Sequence, residues 1–352
     1  MKSSRFALFL VPILLVGPAL WVVRSQSQDS PKSEKPNTTQ EKSSEIKLAV
    51  DVVILDALVM QQKTSRIVGN LKKEDFNLFE DGIKQQISYF GQDQLPLSVI
   101  LIVDRAGCLD PFSHEMYTAT IEALSKLKPE DEVALFSFAK DVKLIQPFRY
   151  DRQRVIDALD RLPDHDEEAS FHSFNTAFYE AAEYMKKAGN PSGRRVIILI
   201  TGVTTGFDVS GPTAEETRNA VFESGSVVCG LIPSSPQQAM ESGMTRGVSG
   251  VAKVFGVRTS SLPQLAEETG GEVVREKAGN IDRAFGTLVE HLRTRYSIGF
   301  ISSNPKRDGS FRKLKLDWSK PPAKNADKLV IKTRSGYIAG NKAATDTKKK
   351  TH

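Results

Sequence analysis

Leu97-Ser98-Val99-Ile100-Leu101-Ile102-Val103-Asp104 is apolar almost without a break and ends on a carboxylate, followed by Arg105-Ala106-Gly107-Cys108. A continuous apolar run of this length reads as a parallel strand buried on both faces. Open α/β sheets bind their ligands outside the carboxyl ends of such strands. Asp104 and the loop through Cys108 are therefore the first candidate site residues.

Outward from this strand, residues 95–294 alternate apolar strands with helical patterns, which implies βαβ units and a mostly parallel sheet with helices on both faces. Further strands are expected at 133–138, 194–201, 226–232 and 272–275, and helices at 113–127, 151–162, 174–187, 213–224, 262–269 and 281–293. Asp151 and Ser173 are expected to cap the helices they precede. The last helix sets Phe285, Leu288, Val289 and Leu292 on one face.

The flanks, residues 46–92 and 295–339, read as β. Ile46, Leu48, Val50, Val52 and Ile54 alternate with other residues as in a half-buried strand, and Glu80-Asp81-Gly82 marks a hairpin running to Ile87. Strands follow at 296–301, 311–318 and 328–334. Each flank has too few strands to bury a core alone, so the two are expected to join in one small β-rich module.

Hydrophobic residues make up 39% of the 352 and charged residues 26%, the balance of a soluble globular chain. The formal charge of +5 owes much to the basic tail at 340–352, a solvated end. No basic motif with interleaved aromatics is present, so nucleic acid is not an expected partner. Lys2 and Arg5 precede an apolar stretch at 6–23, the layout of a signal peptide or uncleaved membrane anchor within residues 1–25. Residues 26–45 are polar and aperiodic and read as a disordered linker. The expected location is exported: periplasmic, secreted or anchored. The chain has two cysteines, Cys108 and Cys229, in separate elements, and unbridged thiols are expected.

Several segments together resemble a bacterial group of exported proteins with a von Willebrand factor type A domain. They are Leu71-Lys72-Lys73-Glu74-Asp75-Phe76 with Phe79-Glu80-Asp81-Gly82, Pro96-Leu97-Ser98, Asn175-Thr176-Ala177-Phe178-Tyr179-Glu180-Ala181, Leu265-Ala266-Glu267-Glu268-Thr269-Gly270-Gly271, and Arg295-Tyr296-Ser297-Ile298-Gly299-Phe300. The resemblance implies a Rossmann-like fold with a metal-ion-dependent adhesion site at the sheet's top edge. That site uses Asp-x-Ser-x-Ser, a threonine from a second loop and an aspartate from a third. Asp104 matches the first aspartate and Thr176 the threonine, but Ala106 and Cys108 replace the serines and Gly202 replaces the last aspartate. Asp208 lies nearby at a spacing that departs from the pattern.

Magnesium requires a tight octahedron of oxygens, and a thiol is a poor partner for it. No cofactor is therefore expected, with Asp104 and Thr176 the ligands if magnesium or manganese binds. The implied function is a non-enzymatic protein-interaction or adhesion module with a degenerate site and an unidentified protein partner. A metal-dependent adhesion protein with an altered coordination shell is one alternative. A thiol enzyme using Cys108, with His114 nearby in sequence, is another. His165-Asp166-Glu167-Glu168, with His172 close by, lacks metal-ligand spacing and reads as a solvated acidic loop. No Gly-x-Ser-x-Gly elbow or phosphate-binding loop is present.

Overall fold

The run ending in Asp104 forms strand β5 (Leu97–Asp104), buried along its whole length at the centre of a six-stranded sheet. A computed structural model describes residues 52–92, 95–162, 172–206, 208, 210–234, 260–320 and 328–340. The sheet order is β10-β9-β8-β5-β6-β7, with β6 (Glu132–Phe138), β7 (Val142–Arg149), β8 (Arg194–Ile200), β9 (Val227–Ser234) and β10 (Val273–Lys277). All neighbours are parallel except β6 and β7. The edge strand β7 has no counterpart in the expected elements. Its alternation is interrupted, and half of its side chains face solvent.

Side chains alternate along β5 and divide the interior in two. Leu97, Val99, Leu101 and Val103 pack under helices α1 (Ser113–Ser125), α2 (Arg152–Asp160) and α6 (Ile281–Arg293). Ile100 and Ile102 pack under α3 (Phe174–Met185), α4 (Ala214–Ser224) and α5 (Leu262–Thr269). Helices thus cover both faces, as expected. From β5 the chain goes to β6 on one side and later returns to β8 on the other. The crevice between the ends of β5 and β8 is therefore a topological switch point, where sheets of this kind bind ligands.

The flanking strands form two four-stranded sheets. One is β13-β1-β11-β4, from β13 (Leu329–Thr333), β1 (Val52–Gln61), β11 (Tyr296–Ile301) and β4 (Ile87–Gly91). The other is β14-β12-β2-β3, from β14 (Gly336–Ile338), β12 (Phe311–Trp318), β2 (Phe76–Glu80) and β3 (Ile83–Gln85). Each mixes strands from both flanks, and they share a core of Leu55, Ala57, Val59, Phe76, Leu78, Tyr296, Ile298, Phe300, Leu314 and Leu316. Rings of Phe76 and Trp318 stack at 5.3 Å and those of Phe90 and Tyr296 at 5.2 Å.

Two sequence expectations are corrected here. Leu55, Ala57 and Val59 line one buried face of β1, whereas on the other face Val52 and Ile54 are 47% and 45% exposed and Leu58 and Met60 are buried. The apolar alternation through Ile54 thus falls on a face that is exposed at Val52 and Ile54 and buried further along the strand, and its residues 46–51 lie outside the described residues. The hairpin strand also stops at Gln85 rather than continuing to Ile87. The buried Gln85 amide donates to Ser303 Oγ at 2.8 Å and accepts from Ser303 N at 3.1 Å, and the chain then crosses to the other sheet. The turn itself has Asp81 and Gly82 both at positive φ, 48° and 84°, the conformation an Asp-Gly hairpin turn needs.

Buried ion pairs join the β sheets to the α/β sheet. Arg194 Nε donates to Asp56 at 3.1 Å, and its other nitrogens donate to the carbonyls of Arg293 and Arg295 at 2.8 Å. Glu272 accepts from Lys332 at 3.1 Å and pairs with His291 Nδ1 at 2.7 Å. Among the described residues no helix is long and apolar enough to cross a membrane. The apolar stretch at 6–23, the linker, the acidic segment at 165–168 and the basic tail lie outside the described residues.

Candidate functional site

The Asp104 carboxylate closes β5 at the switch point and is 1% exposed. Its Oδ1 accepts the Ala106 N–H at 3.0 Å, which folds the following loop back on the strand end. Its Oδ2 accepts the Cys108 thiol at 3.0 Å and the Thr201 hydroxyl at 2.5 Å. Gly107 at φ 82° makes the bend that brings Cys108 round. From the other side, Gly202 donates its backbone N–H to the Cys108 sulfur at 3.1 Å.

Gly202 has no side chain because Cys108 occupies the space. A Cβ there would lie 2.7 Å from the Cys108 carbonyl oxygen and 3.0 Å from its sulfur. Burial first, and the adjacent Asp104 carboxylate second, push the thiol well above its ordinary range. The thiol is therefore held protonated at neutral pH, the opposite of an activated nucleophile. His114, the other member of the thiol-enzyme alternative, lies in the first turn of α1 and lines a separate cleft of about 340 Å³ with Arg105, Leu109 and Tyr117. The two cysteines are not bridged.

Thr176 and Asp208 form a second cluster at the start of α3. The Asp208 carboxylate accepts the backbone N–H groups of Asn175 at 3.0 Å and Thr176 at 3.4 Å, and bonds the Thr176 hydroxyl. Burial raises the Asp208 pKa, and these donors oppose the rise. Asp208 thus caps α3, a role expected of Ser173. The Ser173 hydroxyl instead donates to the Lys140 carbonyl at 2.8 Å. Asn175 Oδ1 accepts the Ser260 N–H at 2.7 Å and anchors the chain entering α5.

Two residues of the Asp104 cluster are absent from the sequence-derived set. Thr201 directly follows β8 and supplies a hydroxyl where residue 202 has no side chain. His172, expected in a solvated loop, turns inward. Its Nε2 lies 3.2 Å from Asp104 Oδ2, and its side chain is 19% exposed. Phe138 and Phe174 hold the ring edge-on, with centroids 6.3 and 6.5 Å away. Its position two residues before α3 was the available signal, because Thr176 already placed that segment at the same sheet edge.

Residues 99–205 match the family model of the von Willebrand factor type A domain. Over those residues the chain is similar to a von Willebrand factor type A domain. The solved structures it is similar to include a von Willebrand factor type A protein from Catenulispora acidiphila, at 11% identity, covering 84% of this chain and 75% of that one, with a TM-score of 0.42. BatB, a conserved hypothetical protein from Bacteroides thetaiotaomicron, is 14% identical, with 56% of this chain and 98% of that one covered and a TM-score of 0.39. Proximal thread matrix protein 1 from the mussel byssus is 10% identical, with 57% of this chain covered and a TM-score of 0.42. The present chain spans 49% of that mussel protein's length. A comparison with curated proteins found no match.

Von Willebrand A domains are generally non-enzymatic interaction modules. The site in this one does not fit a magnesium ion. Ala106 and Gly202 offer no side-chain oxygen, Cys108 offers sulfur, and Thr176 is engaged with Asp208. Both Asp104 oxygens already accept protein donors.

Proposed function

We propose that this chain is a non-enzymatic protein-interaction module whose von Willebrand A domain docks a partner without a bridging magnesium or manganese ion. The docking face is the carboxyl edge of the sheet: the Asp104–Asp110 loop, the start of α3 and the loop after Gly202. The observation that carries this reading is the internal satisfaction of Asp104. A carboxylate that accepts Ala106 N–H, the Cys108 thiol and the Thr201 hydroxyl is a structural anchor for the loops rather than an open ligand for a hard ion. Recognition then falls to loop contacts. The charged start and apolar stretch at 1–25 support export, with the polar segment at 26–45 spacing the folded part from a membrane.

Thermal unfolding in EDTA and in millimolar magnesium or manganese tests the metal half of this reading. Saturation a hundredfold above a dissociation constant adds about 2.7 kcal/mol, a shift of several degrees in a domain of this size. No shift is expected. A rise abolished by Asp104→Ala would overturn the proposal in favour of metal-dependent adhesion. Affinity capture from extracts of the native cells tests the docking half. A partner retained in EDTA and lost on a charge-reversing Asp110→Lys change supports it, and one retained only with magnesium overturns it.

A further inference from the structure

Asp104, Cys108 and His172 bring a carboxylate oxygen, a sulfur and an imidazole nitrogen together from two loops. The sulfur and the nitrogen lie 3.0 and 3.2 Å from Asp104 Oδ2, and all three donor atoms fall within 4.8 Å of one another. His172 Nε2 is shielded from solvent and makes no aligned hydrogen bond among the described residues, despite its closeness to Asp104. An imidazole nitrogen shielded from solvent, with no aligned hydrogen bond among the described residues and facing a thiol and a carboxylate, needs an explanation.

We propose that Asp104, Cys108 and His172 form a binding site for a borderline-soft divalent transition metal, specifically zinc. The donor set is mixed nitrogen, sulfur and oxygen, which suits zinc and not magnesium. Tetrahedral zinc holds thiolate at about 2.3 Å and imidazole and carboxylate at about 2.0–2.1 Å, which sets these donors about 3.3–3.6 Å apart. The separations from Asp104 Oδ2, 3.0 Å to the sulfur and 3.2 Å to the nitrogen, are within a few tenths of an ångström of that range, and the sulfur and nitrogen lie within 4.8 Å of each other.

Binding replaces the Cys108 S–H bond by a metal–thiolate bond and the proton leaves to solvent, which also removes the S–H donor from Asp104 Oδ2 and frees a lone pair there for the ion. Groups that would orient the ligands are in place. Gly202 N–H donates to the sulfur, and Ala106 N–H and the Thr201 hydroxyl hold the carboxylate. Gly206 is part of the same arrangement. A Cβ there would lie 2.0 Å from the His172 carbonyl, so only glycine lets that loop press His172 inward. Three protein ligands leave a fourth position open to water or another donor. The inference rests on donor geometry alone and does not require the docking proposal to hold.

The test uses the untagged full-length chain, stripped with EDTA and dialysed. Zinc chloride titration is followed by calorimetry, and cobalt chloride titration by absorption. About one equivalent of zinc per chain is expected, together with a thiolate-to-cobalt charge-transfer band. Cys108→Ser and His172→Ala should each weaken zinc by at least about a hundredfold, since loss of an outer-shell partner alone costs ten- to a hundredfold. The cobalt band should vanish in Cys108→Ser and persist in Cys229→Ala. No zinc uptake by the natively folded chain, or uptake unchanged in both ligand variants, overturns the proposal. Should Cys108→Ser fail to fold, the wild-type cobalt spectrum decides: a thiolate band supports the site, and an oxygen-only spectrum overturns it.

Discussion

The sulfur of Cys108 fills the space a side chain at Gly202 would require, and the Gly202 N–H donates to that sulfur at 3.1 Å. The two departures from the family pattern are thus a single packing solution. Restoring the aspartate alone, by Gly202→Asp, forces a Cβ to 2.7 Å from the Cys108 carbonyl. Overpacking of this kind costs about 1–3 kcal/mol. A melting temperature several degrees lower is expected, with no magnesium-dependent recovery, both read by calorimetry.

Cys108 should alkylate slowly. Burial and the Asp104 carboxylate hold the thiol protonated, so the reactive thiolate is scarce at neutral pH. Iodoacetamide followed by mass spectrometry should show metal-free native protein modified at Cys108 at least about tenfold more slowly than an unhindered cysteine. Both cysteines should label quickly in denaturant. Rapid labelling of the native protein would revive the thiol-enzyme alternative.

Asp208→Ala should loosen the start of α3. The carboxylate satisfies the N–H groups of Asn175 and Thr176, and loss of a cap costs about 1–2 kcal/mol. Chemical denaturation gives the global loss. Hydrogen exchange should accelerate first at Asn175 and Thr176.

Glu272 contributes pH-dependent stability. Burial alone would raise its pKa, but His291 and Lys332 outweigh burial and lower it to about 2. A carboxylate depressed in the folded state stabilises above its unfolded pKa and loses that contribution as pH falls toward the folded value. A shift from about 4.5 to about 2 corresponds to about 3 kcal/mol at neutral pH. Glu272→Gln should therefore cost about that much at pH 7. In urea titrations its gap from wild type should narrow steadily as pH falls below about 4.5.

The α/β sheet was legible in the sequence because its signals are local. Unbroken apolar runs such as Leu97–Asp104 and Arg194–Ile200 announce strands buried on both faces, and the spacing of Phe285, Leu288 and Leu292 announces a helix face. Asp104 was legible too, since a carboxylate ending such a strand must sit at the sheet's ligand-binding edge. Which residues of β1 are buried was not legible, because alternation specifies two faces without saying which is covered. That choice belongs to the partner strands, whose register places Ile54 opposite the buried Gly299 and leaves Ile54 itself exposed.

The sequence by itself determined the class of fold, the edge where the candidate site lies and the lack of a side-chain oxygen at positions 106, 108 and 202, since each is a property of residue type and short-range spacing. Only the tertiary structure decided which polar groups meet. It directed Asp208 to the start of α3 rather than to Asp104, and it brought His172, separated by two helices and two strands, to 3.2 Å from that carboxylate. Contacts between loops distant in the chain depend on how the strands β5, β6 and β8 order themselves, and no local pattern encodes that distance.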